Sequence, residues 1–92
     1  MNLETREEIA KKLASYYNTF KTNDYISNTN MVLNVINFID FLIDKNNLIK
    51  EITNFDDISS DIISCIKVFV TEIDSPSIVN MINKKLNILK QL

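Results

Sequence analysis

An all-α fold, a compact bundle of four or five short amphipathic helices, is what this sequence predicts. Three observations lead there. Apolar residues recur at helical spacing along most of the chain. The 92 residues contain no Gly and a single Pro, so the tight hairpins of a sheet lack the residue that most easily reaches positive φ. Asn is abundant, and Asn can replace Gly where a helix ends. The many β-branched residues favour strand by propensity, but the spacing outweighs them. Residues 1–92 read as one domain, with no internal repeat, no low-complexity tract and no flexible linker.

The first helix is expected over 4–20. Thr5 and Glu8 fit a capping box, and Glu7–Lys11 and Glu8–Lys12 are favourable i,i+4 pairs. Ile9, Ala10, Leu13, Ala14, Tyr16, Tyr17 and Phe20 share its apolar face. Residues 21–28 read as a loop, and Asn23, Asn28, Asn46 and Asn47 are the expected turn residues. The second helix is expected over 30–44. Leu48, Ile49, Ile52 and Phe55 keep helical spacing, enough for a short extra helix. The next long helix is expected over 56–74, with Asp56 and Asp57 capping it and complementing its dipole. Ser75-Pro76 opens the last helix, Ser as N-cap and Pro at the first helical position. Ile78, Val79, Ile82, Leu86 and Leu89 line its main face, widened by Met81, Ile88 and Leu92.

The most apolar stretch, MVLNVINFIDFLI at 31–43, is too short to span a bilayer and contains Asp40. On a helical wheel it resolves into a wide apolar arc and a stripe of Asn30, Asn34, Asn37, Asp40 and Asp44. The arc suits the spine of the bundle. Leu33 and Phe41 break the polar stripe. Either the short extra helix or the 21–29 loop covers them, or they form a small apolar patch flanked by the amides of Asn34 and Asn37. Such a composition suits a contact surface for another protein or for a second copy of the chain.

Catalytic chemistry finds little to use. There is no His, which removes the commonest general base and metal ligand. One Cys cannot build a zinc cluster, and without Gly neither a P-loop nor a dinucleotide fingerprint can exist. Cys65 falls on the apolar face of its helix and reads as a buried structural thiol. Asp56, Asp57 and Asp61 lack the ligand alternation of a calcium loop. No catalytic, metal or cofactor residue is therefore assigned, and no enzyme activity is expected.

The final segment, 75–92, carries Lys84, Lys85 and Lys90 and no side-chain acid. Lys85 falls near the middle of the apolar face, where it can pack its stem and extend its amine to water. These lysines form a second candidate surface, for an acidic partner or for nucleic acid. The net charge of -2 argues against nucleic acid. A single Cys and a charged N-terminal stretch without an apolar core fit a cytoplasmic setting with no secretory leader. Heavy Asn, Ile and Lys usage fits an AT-rich genome. In size and helical plan the chain is similar to small accessory proteins such as bacteriocin immunity proteins, antitoxins, phage-encoded inhibitors and virus accessory factors. The likeness is one of architecture, with no shared motif, and transfers no functional residue.

The expectation is a small non-enzymatic module that binds another protein sterically through Leu33, Asn34, Asn37 and Phe41, with Lys84, Lys85 and Lys90 as a secondary surface. The alternatives are a nucleic-acid-binding regulator using the last helix, and a structural homo-oligomer, the simplest being a homodimer.

Overall fold

The computed structural model describes residues 3–22 and 29–92, and the side chains of 5–20 and 31–92. Five helices follow one another: α1 Leu3–Thr22, α2 Thr29–Asp44, α3 Asn46–Ile52, α4 Phe55–Val70 and α5 Pro76–Lys90. No strand occurs among the described residues.

The spine is α2. Val35, Phe38, Ile39 and Leu42 repeat at helical spacing and are essentially sealed from solvent. Around them close Ile9, Leu13 and Phe20 of α1, Ile49 of α3, Ile62, Ile66 and Phe69 of α4, and Ile82, Leu86 and Leu89 of α5, one continuous core drawn from every helix. α2 packs on α5, α1 and α3, while α4 packs on α5 and α3. Tyr16 stacks on Phe38, ring centres 5.3 Å apart, and Phe20 meets the same ring edge-on at 6.0 Å. Such pairs add roughly 1 kcal/mol each beyond burial.

The buried stripe of α1 is narrower than its spacing suggests: Ala10 and Ala14 are exposed. α1 is also already helical at Leu3, so Thr5 lies in the first turn and not at the N-cap. The first two residues of the expected 21–28 loop belong to α1, and Asn23 and Asn28 lie outside the described residues.

The joint between α2 and α3 turns at Lys45, not at Asn46 or Asn47. Lys45 keeps a negative φ of -105°, and no described residue has positive φ. Asn46 is already helical, and its side-chain amide donates to the Ile43 carbonyl at 2.6 Å. The amide thus satisfies an orphan carbonyl at the end of α2 without a left-handed cap.

α4 is capped by Asn54, whose side chain accepts from the Asp57 N–H at 3.2 Å. Asp56 and Asp57 sit within the first turn, where they complement the dipole but do not cap. α4 also stops at Val70, short of 74. Glu72 N–H donates to Phe69 O and Ile73 N–H to Val70 O, so the chain tightens into i→i-3 turns. Pro76 keeps Ser75, the residue before it, out of the α region, so the helix cannot run on into α5. Ser75 is extended (ψ 112°) and its hydroxyl accepts from the Ile78 N–H, as the Ser-Pro pair leads one to expect.

Candidate functional site

The two apolar residues that break the polar stripe of α2 have different surroundings. Leu33 is 51% exposed, with Asn34 and Asn37 exposed beside it. Phe41 is only 7% exposed. Its place in an exposed patch is therefore corrected: it is core. Residues 23–28 of the segment expected to cover it lie outside the described residues. On α1 the Tyr16 ring tilts against it at 5.4 Å and the Lys12 ammonium lies 5.5 Å from its ring centre. A cation over an aromatic face adds attraction to the packing.

On α5 the apolar arc is also narrower than its sequence implies. Ile82, Leu86 and Leu89 are buried, but Met81, Ile88 and Leu92 are exposed, at 38%, 49% and 39%. Lys84 is exposed beside them. On a 100° wheel Lys84 lies within about 60° of Met81 and Ile88. That charge was the available signal that this edge faces water.

Lys85 connects the two surfaces. Its stem is half-buried, and its amine meets the Asp40 carboxylate of α2 at 2.6 Å. Asp40 lies one turn beyond Asn37 and two turns beyond Leu33 on the same stripe. Lys85 lies one turn from both Met81 and Ile88. The ion pair therefore sits on the seam between the amide-flanked edge of α2 and the exposed edge of α5. A second tether runs from the Lys50 amine to the Leu92 carbonyl oxygen at 2.8 Å. An open recess lined by Ser77, Asn80, Met81, Lys84, Lys85 and Ile88 marks the α5 side.

Lys90 is set apart from this seam. It lies beside Lys67 of α4, which lowers its pKa through side-chain hydrogen bonding and charge repulsion, with a lesser contribution from desolvation.

The other groups singled out by sequence have local roles. Asp61 accepts a hydrogen bond from the Tyr17 hydroxyl, tying α4 to α1. Ser59, the one polar residue classed with the core among the described residues, donates to the Asp56 carbonyl at 3.2 Å. Cys65 is half-buried at the margin of the core, less enclosed than its wheel position indicates. Among the described residues no group of three or more His, Cys, Asp or Glu could hold a metal ion. Nor is any described helix long and apolar enough to cross a membrane.

No protein-family model matches this chain, and no curated protein or solved structure shows significant similarity to it.

Proposed function

We propose that this chain is a non-enzymatic protein-binding module that acts sterically through the seam between α2 and α5. One observation carries the reading. Leu33 on α2 and Met81 and Ile88 on α5 stay exposed, although most large apolar side chains of these two helices are packed into the core. A fold of this size gains by burying such groups, at roughly 25 cal/mol per Å² of apolar surface. Such groups left in water on two helices joined by the Asp40–Lys85 pair suit a surface that a partner completes.

The rim gives the partner its chemistry. Asn34 and Asn37 offer amide donors and acceptors on one side, and Lys84 offers an ammonium on the other. The 75–92 segment has no carboxylate side chain, so a partner with an apolar hollow edged by acids fits best. Lys85 serves the surface indirectly, by holding α2 and α5 together through Asp40. Affinity would come from the apolar anchors, and the exposed lysine would affect orientation and encounter rate more.

The test compares capture from nuclease-treated host extract by the native chain and by a Leu33→Asp/Ile88→Asp variant. A protein held in stoichiometric amount by the native chain and lost by the variant is the expected result. Equal capture by both would reject this surface. Loss of all binding on nuclease treatment would instead favour the nucleic-acid reading.

A further inference from the structure

One stripe of α5 is exposed along most of its length. Ser77, Met81, Lys84 and Ile88 all face water. On a wheel turning about 100° per residue they fall within about 60° of arc. They follow one another at separations of four, three and four residues. That is the spacing at which a helix offers a continuous seam to a second helix. With Asn80 and Lys85 they line the open recess on α5, so the recess is edged by two lysines.

Asp40 of α2 reaches the recess at Lys85, and the two neutralise each other at 2.6 Å. Lys84 is the charge that then faces an incoming surface. It comes three residues after Met81 and four before Ile88, in the middle of the stripe.

That position decides the occupant. A second helix that takes Met81 and Ile88 between its side chains covers Lys84 as well. A covered ammonium is costly unless an opposite charge meets it. A second copy offering the same stripe fails this condition. The two-fold pairing that sets Met81 against Ile88 brings the lysines of both copies together at its centre, and like charges repel. A wholly apolar helix leaves the ammonium unpaired.

We infer that the occupant of this stripe is an amphipathic helix of an acidic protein partner, one that presents Glu or Asp between apolar residues at three- and four-residue spacing. The inference rests on the α2–α5 seam being a docking surface and states what kind of partner it takes. The apolar anchors supply affinity, while the pair between Lys84 and a carboxylate selects the partner and its register. Met81 to Ile88 spans two helical turns, roughly 10 Å at 1.5 Å per residue. So small a contact places binding in the micromolar range or weaker.

The probes are two fluorescently labelled, helix-favouring synthetic peptides. Each repeats Leu at every seventh position, with charged residues at the third and fourth positions after it: Glu in one peptide, Lys in the other. Binding to the full chain is read by fluorescence anisotropy. The native chain is expected to bind the Glu peptide about tenfold more tightly than the Lys peptide, with a gap that narrows in high salt. Lys84→Glu should reverse the preference, and Ile88→Asp should weaken binding of the Glu peptide. Both positions are exposed, and far-UV circular dichroism with a thermal melt verifies each fold; Met81→Asp replaces Ile88→Asp if that check fails.

Equal binding of the two peptides, or a preference indifferent to Lys84→Glu, would overturn the inference. So would a native chain that binds neither peptide, or self-association lost by Ile88→Asp, which would make a second copy the occupant. If a chain that binds neither peptide still captured a protein from host extract that Leu33→Asp/Ile88→Asp lost, the seam would stand as a docking surface and only the acidic helix would fall.

Discussion

Leu33 and Phe41 sit on the same stripe of the same helix, both are large and apolar, and both are surrounded by polar neighbours in sequence. One is half in water and the other is sealed. The difference lies in what each faces. Phe41 lies under α1, where Tyr16 and Lys12 close over it. Leu33 has exposed Asn34 and Asn37 beside it and is itself 51% exposed. A wheel position therefore says which side of a helix a residue occupies, and only the neighbouring helix decides whether that side is surface.

The largest effect should come from Phe41. Phe41→Ala removes a ring packed against Tyr16 and should cost about 3–5 kcal/mol of unfolding free energy in a urea titration. A loss below about 0.5 kcal/mol, the scale of an ordinary surface substitution, would return Phe41 to the surface beside Leu33. Next comes Tyr17→Phe, which deletes the hydroxyl bonded to Asp61 and should cost about 1 kcal/mol while leaving helical content unchanged. A comparable cost, about 1 kcal/mol, is expected for Ser75→Ala, which removes the side-chain cap of α5. Both are read from the same titrations and show how ordinary structural contacts compare with the Phe41 site. Leu33→Asp should stay within about 0.5 kcal/mol of the native chain, in contrast to Phe41.

The smallest effect should be Lys90→Gln. Lys67 holds the Lys90 ammonium below its ordinary pKa. A lysine whose folded pKa lies below its unfolded one opposes folding while it is charged in both states. The penalty is present at neutral pH. It fades as pH rises through the folded pKa and is gone above the unfolded one. The variant should melt slightly higher at pH 7, with the gain shrinking in strong alkali and in high salt.

Much of the architecture was legible because it follows from local rules. Ser75-Pro76 starts α5 whatever surrounds it, and the α2 spine follows from Val35, Phe38, Ile39 and Leu42 alone. The errors arose where one residue competed with another. Asn54 stands just ahead of Phe55 and takes the capping role expected of Asp56 and Asp57. Ala10 and Ala14 satisfy an apolar pattern, but they border an open groove instead of entering the core. For the candidate site, Leu33, Asn34, Asn37 and Lys84 were legible from their own helices. The burial of Phe41 depends on α1, the Asp40–Lys85 pair joins residues 45 positions apart, and neither is written in a single helical period.

The most direct measurement pairs thermal melting of the Leu33→Asp/Ile88→Asp variant with its capture of protein from nuclease-treated host extract, each against the native chain. The expected result is a nearly unchanged melting midpoint together with loss of the protein that the native chain holds. A variant that melts much earlier would show Leu33 and Ile88 to be part of the core, and a variant that melts normally yet captures the same protein would remove these residues as the binding face.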